Sequence, residues 1–400
     1  MTEVRIGILG NVDSGKTTLC GVLKNDILDN GRGLARDTVM KHKHEKQTGR
    51  TSSVSHYYIK NNNDLYTLVD LAGHEKYLKT TAYGLNGCCI DYVFLLVGAN
   101  MGVLRMTKEH LALASSLNLP IVIIITKVDI CPENILKKTI MDIKSCLNLK
   151  MINRTPIIVK NSNDLLKIND FRETKNVPII GVSNITGKNI SLLKSLINTL
   201  KCDKKWNLLN DKKKLFSIES SYLVPGVGLV LSGVTTSGII NVGDKLLIGP
   251  LSNKFYEIMV KSIHNNFREN ISKLETGTSG CLNIKLLDKK IILKKNRIKK
   301  GMVLIENNPN QKSYREFSAL IKILHHPTTI KINYEPVIHC GTISQSAKIF
   351  YIEKDLLRTG DTSLVKFRFK NRSEFIEKNN KIIFREGKTK GIGKILDIIQ

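Results

Sequence analysis

Over the first two hundred residues, short apolar runs alternate with segments whose apolar positions recur every three to four residues. Val4–Leu9, Leu65–Asp70, Tyr92–Val97, Ile121–Thr126 and Pro178–Val182 are mostly apolar runs, the pattern of strands buried on both faces. Helical spacing covers 16–25, 76–86, 107–117, 132–148 and 187–200 between and after them. The clearest is 132–148, where Pro132 suits the first helical position and Leu136, Ile140, Ile143 and Leu147 share one face. This alternation predicts an α/β domain with a doubly wound, mostly parallel sheet and ligands at the carboxyl ends of its strands. Ser53–Lys60 alternates only weakly and runs into Asn61-Asn62-Asn63-Asp64, which predicts an antiparallel edge strand closed by a hairpin.

The pattern changes near residue 201. Lys201–Lys214 is polar and charged and reads as a linker holding the lone tryptophan, Trp206. After it come short β-type runs broken by glycine, at Pro225-Gly226-Val227-Gly228, Ser237-Gly238 and Val242-Gly243-Asp244. Turn signals at that density predict an all-β barrel. A second break falls at Asn307-Asn308-Pro309, and Phe317–Leu324, Val337–His339, Leu364–Phe369 and Lys381–Phe384 again read as strands. The expected organisation is therefore 1–203, 204–310 and 311–400: one α/β domain, then two all-β barrel domains.

Composition narrows the class. The chain is 42% apolar, but its longest unbroken apolar runs, such as Ile121–Ile125, fall far short of a membrane span. A strand so close to the first residue leaves no room for a secretory signal. The eight cysteines show no CxxC spacing, so a reducing compartment such as the cytoplasm is expected and a disulfide framework is not. The net charge of +27 admits two readings of equal weight. One is a polyanionic partner, most simply RNA; the other is the Lys, Asn and Ile bias of an AT-rich gene, as in a parasite or a large DNA virus acting in a host cytoplasm. Lys289, Lys290, Lys294, Lys295, Arg297, Lys299 and Lys300 crowd one short segment, which suits an anion or a solvated basic face.

The chemistry begins at Gly10-Asn11-Val12-Asp13-Ser14-Gly15-Lys16-Thr17, followed by Thr18. It sits between a strand and a helical pattern, the context that a GxxxxGK[ST] phosphate loop requires. Backbone N–H groups of such a turn cradle a polyphosphate, Lys16 reaches its β and γ phosphates, and the Thr17 hydroxyl suits Mg²⁺. Asp70-Leu71-Ala72-Gly73 closes the next strand as a DxxG pattern. There Asp70 can hold Mg²⁺ through a water and the Gly73 N–H can meet the γ-phosphate, making a segment that is released when the phosphate leaves. Thr126-Lys127-Val128-Asp129 follows another strand end. A carboxylate at Asp129 accepts from both N1–H and the exocyclic amine of guanine, which adenine cannot supply, while the Lys127 stem lies along the purine. Thr126 stands where asparagine is more usual and is expected to loosen this loop. Ser183-Asn184-Ile185 supplies the last base-contacting loop.

His74 directly follows the DxxG pattern and is the candidate to position the attacking water. Asp13 is a candidate ligand for a monovalent cation. The polar stretch Asp29–Ser55 must carry the first switch, with the Thr51 hydroxyl chosen to meet Mg²⁺ and Ser53 the alternative, since spacing does not set the register. Lys41-His42-Lys43-His44 reads as a basic solvated loop suited to RNA.

With these residues in view, the chain resembles the translational GTPases, the class of elongation factor Tu and elongation factor 1-alpha. Gly10–Thr18 is similar to that class's phosphate loop, Asp70–His74 to its second switch, and Gly49-x-Thr51 to its Gly-x-Thr. Closer still is the likeness to the eukaryotic subfamily of GTP-binding proteins 1 and 2, carried by Leu28–Gly33, Lys43–Glu45, Gly49–Val54, Thr126–Asp129, Val224–Gly228, Leu324–Thr329, His339–Gly341 and Phe384–Lys390. The resemblance implies a G domain and two barrels, GTP and GDP as ligands with Mg²⁺, and GTP hydrolysis. It also implies partners: aminoacyl-tRNA or the ribosome, in an elongation or ribosome-rescue role. A GTP-gated adaptor that recruits RNA-decay machinery, with hydrolysis incidental, is the alternative. A monomer without the subfamily's long terminal extensions is expected. Arg50 stands where elongation factors carry an apolar shield for the catalytic histidine, leaving Val12 to shield His74 alone.

Overall fold

The computed structural model describes residues 2–40, 54–61, 64–150, 152–168, 171–202, 205–288, 295–308, 310–386 and 389–399. They fall into two units, residues 1–85 with 90–203, and residues 86–89 with 204–400.

The first unit is built on a seven-stranded sheet in the order β2-β3-β1-β4-β5-β7-β6. Its strands are β1 (Thr2–Gly10), β2 (Ser55–Asn61), β3 (Asp64–Asp70), β4 (Tyr92–Gly98), β5 (Ile121–Thr126), β6 (Thr155–Ile158) and β7 (Asn176–Gly181). Only β2 is antiparallel to its neighbour, as its weak alternation and following Asn-rich turn predict. β4 and β5 are buried along their whole lengths, which is why they read as unbroken apolar runs. The edge strand β6 escapes that reading because it is short, half-exposed and carries Pro156, a residue tolerated only at an edge.

The helices are α1 (Lys16–Asn25), α2 (Leu34–Asp37), α3 (Leu78–Gly87), α4 (Arg105–Ser116), α5 (Glu133–Leu147), α6 (Ser162–Leu166) and α7 (Ile190–Thr199). Pro132 stands just before α5, with an extended ψ of 145°, so that helix starts one residue later than its spacing predicts. Parallel register pairs Ile8 with Asp70, Gly10 with Leu96, and Gly98 with Thr126. The ends of β1, β3, β4 and β5 thereby share one edge. The chain leaves β1 toward one side of the sheet and returns to lay β4 on the other, so the end of β1 is the switch point where a ligand fits.

The second unit holds two antiparallel barrels. The segment predicted as a plain linker contains a short helix, α8 (Lys205–Leu209), and Trp206 is buried rather than solvated. The first barrel uses β8 (Leu215–Val224), β9 (Gly228–Ser237), β11 (Lys245–Leu251), β12 (Lys254–His264), β15 (Ser279–Leu286) and β16 (Val303–Glu306). The two-residue strands β10 (Ile240–Asn241), β13 (Asn270–Ile271) and β14 (Lys273–Leu274) accompany them. Pairing of β11 with β12 closes the ring around Phe216, Ile218, Leu231, Ile258 and Leu304. The second is a closed six-stranded barrel in the order β17-β20-β19-β18-β21-β22. These strands are β17 (Glu316–His325), β18 (Val337–Cys340), β19 (Ile343–Ile352), β20 (Thr362–Phe369), β21 (Lys381–Glu386) and β22 (Thr389–Ile399). Phe317, Phe367, Phe369 and Phe384 fill its centre.

Candidate nucleotide site

The loop after β1 has the backbone of a phosphate cradle. Gly15 caps α1 with φ 80°, a left-handed value, and Asp13 is also left-handed at φ 61°. Asn11 turns its carbonyl inward, where it accepts from the Ser14 hydroxyl and from Lys16 Nζ, both at 2.8 Å. Lys16 is buried, and burial pulls its ammonium pKa below the usual value while the nearby Asp70 carboxylate pushes it back up. Beneath it the Cys20 thiol is pushed well above its ordinary pKa by burial and then by Asp70, so it stays protonated.

The second cluster converges on the same point. The Thr17 hydroxyl donates to Asp70 Oδ2 at 2.7 Å, joining residues 53 positions apart. Leu71 and Ala72 are buried behind Asp70, and the Thr81 hydroxyl fastens the turn by donating to the Ala72 carbonyl at 2.8 Å. At Gly73 a Cβ would lie 2.5 Å from the Gly10 carbonyl oxygen and would also strike Lys16 Nζ. Glycine is therefore required here for close approach. His74 is exposed beside it, and its Nδ1 accepts from the Lys76 backbone N–H at 3.1 Å.

On the base side, Thr126 is fully buried and its hydroxyl donates to the Ser14 carbonyl at 2.9 Å. That bond ties the loop down, against the expectation that threonine would loosen it. Lys127 is left-handed at φ 60° and half-buried, Val128 donates its N–H to the Val182 carbonyl at 3.4 Å, and Asp129 is exposed. The buried Ser183 hydroxyl accepts from the N–H groups of Ile185 and Thr186, at 3.2 and 3.0 Å, which shapes the last loop. Asn184 Oδ1 is buried without a hydrogen-bond partner among the described residues.

These loops enclose a cavity of about 370 Å³, within the usual size of a small-molecule site. Val12, Asp13, Gly15, Lys16, Thr17 and Thr18 form one wall; Gly73 and His74, Lys127 and Asp129, and Asn184 and Ile185 form the others. Gly10, Asn11, Ser14, Asp70, Leu71, Ala72, Thr126, Val128 and Ser183 stand behind that lining and hold it. Thr51 and Ser53, together with Arg50 and Lys41–His44, lie outside the described residues.

The lining also includes Asp29, Gly31, Arg32 and Gly33, from the Leu28–Gly33 stretch that carries the subfamily likeness without an assigned role, and Arg36 and Ile130, which no motif covers. The first five form a strap after α1. Its signal in the sequence is the turn chemistry of Asp29-Asn30-Gly31 with two arginines close behind, within the Leu28–Gly33 likeness and the polar stretch expected to carry the first switch.

Residues 1–202 match the family model of the elongation factor Tu GTP binding domain. The chain belongs to the translational GTPases. Among similar members of this family, GTP-binding protein 1 of Xenopus laevis is 40% identical over 426 residues, covering 100% of this chain and 64% of the relative. GTP-binding protein 2 of Mus musculus is 36% identical, covering 99% of this chain and 69% of its own length. The chain thus spans slightly under two thirds of the Xenopus relative. The crystal structure of translation elongation factor SelB from Methanococcus maripaludis, in complex with the GTP analogue GppNHp, superposes with a TM-score of 0.74 at 21% identity. It covers 100% of this chain and 80% of that one, which shows the shared fold. Among the described residues, no helix is long and apolar enough to cross a membrane.

Proposed function

We propose that this chain binds GTP with Mg²⁺, hydrolyses it to GDP and phosphate, and uses the difference to switch its affinity for aminoacyl-tRNA or the ribosome. Its G domain is residues 1–203 and its barrels are 204–310 and 311–400, and it acts as a monomer in the cytoplasm in an elongation or rescue role. The contact between Thr17 and Asp70 carries this reading. A hydroxyl and a carboxylate, both hard oxygen donors, meet at 2.7 Å beside the phosphate loop, the donor set that Mg²⁺ takes. Bound there, Mg²⁺ supplies charge neutralisation for the β and γ phosphates. Thr51, or Ser53, would complete its ligands in the triphosphate state, and Asp13 offers an exposed carboxylate for a monovalent cation.

The protein's own groups divide the remaining work. Lys16 and the loop N–H groups hold the polyphosphate in a site already shaped for it. Asp129 and Asn184 read the base. His74 accepts at Nδ1, so its neutral ring carries the proton on Nε2. That tautomer suits donating to and orienting the attacking water more than removing its proton. Loss of the γ-phosphate removes a contact from Gly73, and only such a difference in contacts can shift the switch between its arrangements.

The test compares GTP turnover, with and without ribosomes and charged tRNA, in wild type and His74→Ala. GTP affinity should stay within about two-fold while stimulated turnover falls roughly 10²- to 10⁴-fold. Unchanged turnover rejects the role of His74. A wild-type rate indifferent to ribosomes, with no preference for charged over uncharged tRNA, turns the reading to a GTP-gated adaptor.

A further inference from the structure

The strap formed by Asp29–Arg36 stands on the cavity wall with no role in the reading above. It is firmly built. The Asp29 carboxylate accepts from the N–H groups of Gly31 and Ala35, at 3.1 and 2.9 Å. Asn30 Oδ1 accepts from Arg32 N at 2.9 Å, and the Asp29 N–H donates to the Asn184 carbonyl at 2.8 Å. At its far end Thr38 bridges Asn25, near the C-terminus of α1, and the Ala35 carbonyl, each at 2.6 Å. The strap is thus anchored both to α1 and to the base-side loop.

Asp29 spends its charge on strap amides, which leaves Asp37 as the carboxylate paired with Arg36 among the described residues. The Arg36 side chain is 36% exposed and lines the cavity, lying against Gly33. Its Nε is buried and has no hydrogen-bond partner among the described residues. Its ion pair with the exposed Asp37 Oδ1 is a loose one at 3.7 Å, too long for a hydrogen bond. That Nε is packed against Gly33 and closed to solvent, so the exposed part of the side chain is what can meet an anion in the cavity. A guanidinium is also the group best matched to phosphate, through paired N–H donors.

We propose that Arg36 binds the phosphate groups of the nucleotide, as a cationic contact delivered from the strap in addition to Lys16. The inference rests on the guanine-nucleotide reading of the same cavity. It makes the strap, whose backbone bonds among the described residues run within 29–40 and to Asn184, part of the binding site. Retention of nucleotide then depends on one anchor from the phosphate loop and a second from the segment that follows α1.

The experiment measures binding of GDP, GTPγS and guanosine to the full chain, by direct titration for the nucleotides and by competition for guanosine. Wild type serves as the reference, since failure of wild type to bind GDP defeats the nucleotide reading itself. Arg36→Ala is expected to weaken GDP and GTPγS at least ten-fold while changing guanosine less than two-fold. Arg36→Lys, which keeps the charge but not the fork, should fall between. Melting curves identify any variant that has lost its fold, and Arg36→Lys then carries the comparison. Unchanged GDP affinity in a folded variant, or an equal loss for guanosine and GDP, overturns the proposal.

Discussion

The Thr126 hydroxyl donates to the Ser14 carbonyl oxygen at 2.9 Å, so the loop at the end of β5 and the phosphate loop are locked across 112 positions of sequence. Both residues are buried, Thr126 completely and Ser14 to within 1%. The two ends of the nucleotide site are therefore held as one piece. Thr126→Val keeps the volume and removes the donor, leaving a buried carbonyl short of a partner at a cost of about 1–3 kcal/mol. Part of that cost should appear as weaker nucleotide binding. Calorimetry with GDP is expected to show an affinity roughly ten-fold lower, together with a reduced melting temperature. An unaltered affinity would mean that other contacts suffice to align the loops.

In the second barrel the buried Glu374 carboxylate makes stability depend on pH. Its Oε1 accepts from Gln345 Nε2 at 2.8 Å and from Arg372 Nε at 2.9 Å. Oε2 has no hydrogen-bond partner among the described residues. Burial raises its pKa from 4.5 to about 7, against the opposing pull of Arg372. Between those two values the folded chain holds more protons than the unfolded one, so stability declines as pH rises through the window and levels off above it. A shift of this size corresponds to roughly 3 kcal/mol when fully expressed. Denaturant melts of wild type and Glu374→Gln at pH 5 and pH 8 should show that the variant loses most of the slope. An identical slope in both proteins would place the titration elsewhere.

The lone tryptophan gives a direct probe of how α8 sits on the first barrel. Gly277 is left-handed at φ 81°, and a Cβ there would come within 2.7 Å of the Trp206 ring. Gly277→Ala combines a positive-φ penalty with displacement of the indole, together roughly 2–3 kcal/mol. The melting temperature should fall by several degrees, and the emission of Trp206 should shift to the red as the ring meets water. Because the chain has a single tryptophan, that signal comes from one place. Unshifted emission in the variant would show that the ring keeps its buried seat.

Local chemistry was enough to make the first domain legible. Strands buried on both faces must be apolar throughout, so β1, β3, β4 and β5 announce themselves. The phosphate loop, the DxxG turn and the Thr126–Asp129 loop each fit within a few consecutive residues, because every one follows a single strand end. The same locality made the barrels readable as a class without giving their pairing, and it passed over β6 and β22, where half-exposure or internal glycine blurs the period. Whether Trp206 is solvated or docked depends on Gly277, some seventy positions later, and no linker composition encodes that.

Tertiary structure alone decided which residues stand around the nucleotide cavity besides the motifs. Arg36 belongs to no phosphate-binding motif. It reaches the site because the Asp29 N–H bonds the Asn184 carbonyl, bringing together segments that lie far apart in the chain. The unusual Thr126 likewise looked like a weakness until folding set its hydroxyl against Ser14. A sequence displays the groups that bind directly, since their spacing is short and constrained by the ligand. Partners that meet only when distant strands pair leave no period or spacing to read, because their distance is set by the sheet register and not by the chain.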